Sequence, residues 1–393
     1  MLDTSLDTAK IAVSLFFEMS ESNERVTAAR LSSAGFRDIA LSDVLLLTAL
    51  QMRGHSATGA SQKPKIGGGV SREMTDKLCA GGYLEDRSRP DDPDRTEIVL
   101  TGRGRLAVEV VMDGVLADRW VSFPFRPDDI VISAPGKSGT TWMQMICALL
   151  VFQTPDLPAP LNELSPWLDD PTGIRHEVLE RYAAQRNRRF IKTHSSLADI
   201  PAVPQVTYIV VGRNPLDAAV SSYHQRKRIA RVSGDRSLTD SAREWLLEWI
   251  AEEPASPAQL SDLGGILRRI ADAWARRDEP NVVLTHYEDL SADLEGQMRL
   301  LAERLGITVA EALWPGLVKA ATFERMRAAA DRIEPFGGLL EDSASFFRRG
   351  VSGAGSRAAH DGRTRRLPRT GGSGPRTRRA GLVAPVGVRL ETG

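Results

Sequence analysis

The stretch Asp129-Ile-Val-Ile-Ser-Ala-Pro-Gly-Lys-Ser-Gly-Thr-Thr-Trp142 decides how the rest of the chain reads. A short apolar run suited to a buried strand breaks at Pro135-Gly136, passes Lys137 and small residues, and enters a helical pattern near Thr140. That is how a chain builds an anion seat. Gly136 and Gly139 free the backbone to bend with its N–H groups inward, Lys137 supplies a cation, and the helix start adds the positive end of its dipole. The order predicts a bound phosphate or sulfate. The nucleotide-triphosphatase loop needs glycine at position 131, where Val131 stands, so Gly136-Lys137-Ser138 shares only the last letters of that motif.

Working outward, Met143 to Phe152 continues the buried helix, and strand-like segments recur at Arg189 to Thr193, Val206 to Gly212 and Asn281 to Thr285. Helical patterns fall near 215–229, 241–251, 261–278 and 292–305. Apolar strands alternating with helices predict an α/β fold with a parallel sheet covered on both faces. Sites in such folds gather at the carboxyl ends of strands. Two further strand ends carry suitable groups. Lys192 and His194 alternate at the close of one strand, so both side chains face one side. Arg213 follows another, Pro215 suits the first turn of the next helix, and Ser221 lies within it, so that Arg213 and Ser221 can jointly hold a second phosphate. Taken singly, His194 reads as a hydrogen-bonded loop partner, Lys192 as a solvated edge charge, and Arg213 as a partner of Asp217.

Lys137-Ser-Gly-Thr-Thr-Trp142, Lys192-Thr-His194, Arg213-Asn-Pro-Leu-Asp217 with Ser221, Tyr287-Glu-Asp289 and Phe347-Arg-Arg-Gly350 with Gly353 stand in the order of the cytosolic-type sulfotransferases, which they resemble. The resemblance covers about residues 123–354. It implies a P-loop-like parallel sheet and 3′-phosphoadenosine-5′-phosphosulfate (PAPS) as sulfuryl donor, with no metal. It also implies roles. Lys137 with Ser138, Gly139, Thr140 and Thr141 would hold the 5′-phosphosulfate, and Trp142 would pack near the adenine. Arg213, Ser221, Arg348, Arg349 and Gly350 would bind the 3′-phosphate, and Tyr287 would contact the nucleotide. His194 would be the general base on the acceptor, with Lys192 stabilising the departing charge. The chemistry agrees with these roles: sulfuryl transfer builds charge on bridging and equatorial oxygens, which lysines and backbone donors can meet, and a neutral hydroxyl must lose its proton as it attacks. The acceptor would be a small-molecule hydroxyl, or an amine, in a pocket lined by Pro158 to Arg186, including Trp167, and by Gln225 to Leu238. Trp245, Trp249 and Trp274 read as packing, and His224, His286 and His360 as residues without a chemical part.

Two departures from the family stand out. Pro135-Gly136-Lys137 replaces its Tyr-Pro-Lys, and after Gly353 the match stops where Ala354-Gly355-Ser356 opens an arginine-rich tail. From Gly355 to Gly393 there are nine arginines against one aspartate and one glutamate, about +7, which leaves about −7 on the residues before it in a chain of formal charge zero. Its Gly, Pro, Arg, Ser and Thr predict disorder. The abrupt change predicts a truncated or frame-shifted terminus.

The first 120 residues are of another kind. Helical spacing at 7–20 and 41–53, a helix from Val70 to Cys79 ended by Gly81-Gly82, two short strands around a Pro/Asp turn, and Leu100-Thr-Gly-Arg-Gly-Arg105 resemble the winged helix of MarR-type regulators over about residues 5–120. The resemblance implies an α+β winged helix-turn-helix domain in which Ser71, Arg72 and Thr75 meet base edges and Arg95 on the wing meets backbone phosphate or the minor groove. Pro64 and Gly67-Gly68-Gly69 stand where the family has an apolar helix, which keeps dimerisation or packing open as the alternative.

The 393 residues thus divide into a winged helix at 1–122, a sulfotransferase domain at 123–354 and a tail at 355–393. The 42% hydrophobic and 26% charged content is that of a globular protein, no apolar run suits a membrane span, and two distant cysteines make no disulfide framework, which together predict a cytoplasmic enzyme. The rival class is a transcription regulator that uses a sulfotransferase-like domain to sense a ligand.

Overall fold

The computed structural model describes residues 24–40, 42–44, 46–48, 50, 72–86, 98–121, 123–170, 175–233, 239, 241–251, 262–333, 343–348, 350 and 352–360. Near the amino terminus, helices Glu24–Ser33 and Arg72–Ala80 precede a hairpin of β1 (Leu84–Asp86) and β2 (Ile98–Leu100), and helix Gly102–Val121 follows. Leu31, Phe36, Val44, Leu47, Leu78, Tyr83 and Val108 bury their side chains together there. A Cβ on Gly104 would lie 2.2 Å from the Tyr83 carbonyl oxygen, so glycine at this position lets the last helix start against the hairpin. The expected helix at 7–20 and the hairpin tip lie outside the described residues.

Four parallel strands form the main sheet: β3 (Ile130–Ser133), β4 (Phe190–Thr193), β5 (Thr207–Gly212) and β6 (Val282–His286), in the order β4-β3-β5-β6. Every residue of β3 and β4 is buried, as a strand covered on both faces requires. Ile130, Ile132, Ile209 and Val211 face helix Thr140–Phe152, while Val131, Ile191 and Tyr208 face Trp120, Phe123 and Tyr182. The helix after β3 is itself buried on nearly every side, from Met143 through Leu150, because further helices close over it. β3 lies between β4 and β5, so the chain leaves it to one side and returns to the other. The loops after β3 and β5 therefore part, and a crevice opens at their carboxyl ends.

At the opposite end of the sheet, Arg189 donates from Nε to Asp129 Oδ1 at 2.8 Å and from Nη2 to the Pro124 carbonyl at 2.8 Å, with Nη2 also on Asp129 Oδ2. The guanidinium lies 4.9 Å from the Phe123 ring centroid. This ion pair joins the starts of β3 and β4.

Two expectations need correction. Residues 361–393 lie outside the described residues, but Ala354-Gly355-Ser356, where the composition predicts disorder to start, begins helix Ala354–His360, packed by Ala354 and Ala358 against helices Pro215–Ser233 and Ala242–Ala251. The reason is Asp217, whose carboxylate accepts from Gly353 N at 2.7 Å and Gly355 N at 2.6 Å. Trp274 is not packing: it is 54% exposed and carries the Arg277 guanidinium at 5.0 Å, whereas Trp245 and Trp249 stack in the interior.

Candidate active site

The loop after β3 takes the left-handed region at Lys137 (φ 65°) and Gly139 (φ 105°). The bend expected at Gly136 thus falls one residue later, on the lysine itself. Gly139 has a second reason to be glycine, since a Cβ there would lie 3.0 Å from the Tyr287 ring. Gly139 caps helix Thr140–Phe152 without a side-chain hydrogen bond, so the first-turn N–H groups keep their donors for an anion. Thr140 Oγ1 is buried with no partner among the described residues.

The loop after β5 closes on this one. Arg213 Nη1 donates to the Lys137 carbonyl at 2.8 Å, and its guanidinium lies 4.1 Å from the Tyr287 ring centroid. Tyr287, which starts the helix after β6, meets Trp142 edge-on at 5.2 Å, and Trp142 Nε1 donates to the Ala321 carbonyl at 2.8 Å. Arg213 Nε has no partner among the described residues. The alternative pairing of Arg213 with Asp217 does not occur, because Asp217 holds Gly353 and Gly355. Below the loop, Lys137, Ser221, His224, Gln225, Arg228, Phe346 and Arg348 line a small hollow.

The end of β4 brings the third group. Lys192 Nζ sits 4.6 Å from the Trp167 ring centroid, and the His194 ring meets the same indole at 4.7 Å. His194 Nδ1 lies 2.6 Å from the Ala134 carbonyl. A carbonyl only accepts, so Nδ1 carries the hydrogen and Nε2 keeps the lone pair.

The cations repel one another in a dry place. Burial, then Arg213, Lys192 and Arg228, bring the Lys137 ammonium down to about 7. Burial brings Lys192 down to about 8, against the opposing pull of Asp170 and Asp169. Burial and Lys192 lower His194 to about 4, so the imidazole is neutral near pH 7. Such a cluster, positive and short of counter-charge, binds anions.

A family model described as the sulfotransferase domain matches residues 127–355. The chain belongs to the sulfotransferase family. A glycolipid sulfotransferase of Mycobacterium bovis is 39% identical over 281 residues, which cover 62% of this chain and 84% of the relative. Sulfotransferase 1A1 of Bos taurus is 29% identical over 247 residues, covering 59% and 78%. Among solved structures, mouse sulfotransferase SULT7A1 complexed with PAP is 22% identical with a TM-score of 0.47, covering 62% of this chain and 81% of that one.

In this sulfotransferase, the sequence-predicted residues Lys137, Ser138, Gly139, Thr140, Thr141, Trp142, Lys192, His194, Arg213 and Tyr287 stand at the exits of the four neighbouring strands, with Ser221 and Arg348 across the hollow. Gly350 has φ 64°, and a Cβ there would lie 2.4 Å from Phe323, so only glycine fits. Arg349 lies outside the described residues, as do Ser71 and Arg95. Arg72 opens its helix, Thr75 is half-buried, and the exposed face beside it bears Glu73 and Asp76. Sequence reading gave His224 no chemical part and placed Gln225 and Arg228 on the acceptor side, whereas all three line the hollow beside Lys137. Their spacing held the signal: Ser221, His224, Gln225 and Arg228 repeat at helical intervals and share one face.

Proposed function

We propose that this sulfotransferase moves the sulfuryl group of PAPS to a hydroxyl of a small-molecule acceptor, with glycolipids as the first acceptor class and amines as the second. The 39% identical relative named a glycolipid sulfotransferase supports that order. The observation that carries the reading is the His194 tautomer: with Nδ1 spent on Ala134, Nε2 is left as a neutral base beside Lys192. A domain that only sensed a nucleotide, as in the transcription-regulator alternative, needs the cations but no such base.

The buried, partnerless Thr140 Oγ1 and Arg213 Nε fit an anionic ligand. Lys137, the Ser138 to Thr141 backbone and Thr140 Oγ1 hold the 5′-phosphosulfate. Arg213, Ser221 and the Arg348-Arg349-Gly350 turn hold the 3′-phosphate, and Tyr287 and Trp142 flank the nucleoside. The donor supplies an activated sulfuryl group on a phosphate leaving group. His194 Nε2 takes the proton of the acceptor hydroxyl as that oxygen attacks sulfur, and Lys137 and Lys192 stabilise charge on the departing oxygen. Trp167 forms a wall of the acceptor side. Residues up to about 122 form a winged helix, supported by the helix, hairpin and helix order around one core. It either pairs two copies or contacts DNA through Arg72 and Thr75, with Ser71 and Arg95.

Labelled donor incubated with glycolipid, phenol, sterol and amine acceptors tests the assignment. Transfer of label to a hydroxyl acceptor, lost in His194→Ala, is expected. Tight donor binding with no transfer to any acceptor, together with a salt-sensitive DNA complex, would favour the sensing alternative.

A further inference from the structure

Behind the catalytic dyad lies a carboxylate that the mechanism above does not use. Asp169 is 2% exposed. Its Oδ2 accepts from Ser195 Oγ at 2.5 Å and from Thr193 Oγ1, the two hydroxyls that flank His194 in sequence. Thr193 Oγ1 in turn accepts from Ser195 N at 2.8 Å, and Ser133 Oγ donates to the Ser195 carbonyl at 2.7 Å. The Asp169 segment runs beside β4, with Leu168 N on the Lys192 carbonyl at 3.2 Å and the Trp167 indole against both Lys192 and His194. Asp169 Oδ1 is buried without a hydrogen-bond partner among the described residues. A buried carboxylate oxygen without a donor is costly, and such groups persist where their charge is used.

We propose that Asp169 is a positioning residue of the reaction, buckling the Thr193–Ser195 turn that carries His194 and setting the charge of Lys192 and His194 through space. The proposal rests on the roles given above to those two residues. The charged groups around them come from every neighbouring element. Asp170 and, after it, Asp169 act on Lys192 from the segment beside β4, Lys137 faces it from the loop after β3, and Arg269 acts on His194 from helix Leu263–Ala275. Arg213 and Arg228 act in turn on Lys137. Asp169 opposes the cations on both catalytic groups. It helps Lys192 stay an ammonium at working pH and favours the imidazolium that forms as His194 takes the proton. Unlike the acid of a hydrolase triad, it does this without a bond to the ring, because Ala134 already occupies Nδ1.

Asp169→Asn keeps the shape and removes the charge. We expect kcat to fall by about tenfold or more, the change that one pKa unit represents. Both limbs of the kcat/KM pH profile should move to lower pH, while the midpoint of donor binding at pH 6 changes little. A role limited to packing would scale activity evenly at all pH values and leave the limbs in place, and that result would overturn the proposal. If Asp169→Asn does not fold, Thr193→Val/Ser195→Ala keeps the anion and removes its bonds. That double variant should lower kcat, and Asp169→Ser, which removes the charge, should move both limbs to lower pH; limbs left at wild-type positions in Asp169→Ser would overturn the proposal. Failure of the underlying reading looks different: His194→Gln would retain wild-type turnover.

Discussion

The two ends of the same sheet bury charge in opposite ways. At the start of β3 and β4, Arg189 meets Asp129 in a two-pronged pair, a carbonyl takes a further donor, and side-chain exposures are 1% and 2%. At the far end, Lys137, Lys192 and Arg213 crowd together with no ion pair among the described residues, only the longer-range pull of Asp170 and Asp169 on Lys192, and the lysines give up their protons near neutrality. The first arrangement is complete and serves the fold. The second is incomplete, and in the proposed function the donor completes it. Unsatisfied charge, rather than buried charge, marks the site.

The largest effect should come from removing the base. His194→Ala is expected to lower kcat by about 10²–10⁴-fold with donor affinity nearly unchanged, as steady-state kinetics and calorimetry would show. Breaking the complete pair should act on stability instead. Arg189→Met leaves the Asp129 carboxylate buried without a counter-charge, held only by Arg126 N among the described residues, and should cost about 3–5 kcal/mol in denaturant unfolding, with turnover per folded molecule preserved. If turnover fell while stability held, the contrast between the two ends would fail.

Lys137→Met should show the reverse pattern, with donor binding weakened by about 10–100-fold, the range of a lost charged hydrogen bond. The native state holds Lys137 at about 7 against an ordinary 10.5, so the unfolded chain binds more protons between those values and stability rises with pH across them. The penalty is complete below about 7 and gone above 10.5, so Lys137→Met should melt higher than wild type at pH 6 and lose that advantage in alkali. A smaller effect should follow Gly355→Ala. Its Cβ would stand 2.4 Å from Leu216, and relief of that contact should cost about 1–3 kcal/mol and loosen helix Ala354–His360, measurable as faster amide exchange.

Much of this was legible in the sequence because strands buried on both faces announce themselves. Phe190–Thr193, Thr207–Gly212 and Val282–His286 fall within a residue of their apolar runs, and the chemistry-bearing residues sit at strand exits, where α/β sheets place them. What stayed hidden depends on contacts distant in sequence. Asp217 reads as a helix-start acid or a partner for Arg213, and only the fold shows it holding Gly353 and Gly355 across 136 and 138 residues. Asp169 and Trp167 lie in a segment with little periodicity, and their meeting with β4 follows from one bridge between Trp167 and Lys192. Gly136 looked like the hinge because glycine favours positive φ, yet the loop bends on Lys137, where the fold outweighs that preference.

The incomplete charge at the carboxyl end is tested most directly by titrating the protein with 3′-phosphoadenosine-5′-phosphate at pH 8 in buffers of different ionisation enthalpy. Lysines at about 7 and about 8 are largely or half deprotonated there, so binding should draw protons from the buffer, and Lys137→Met should take up fewer. Tight binding with no proton uptake by the wild-type protein would contradict the account.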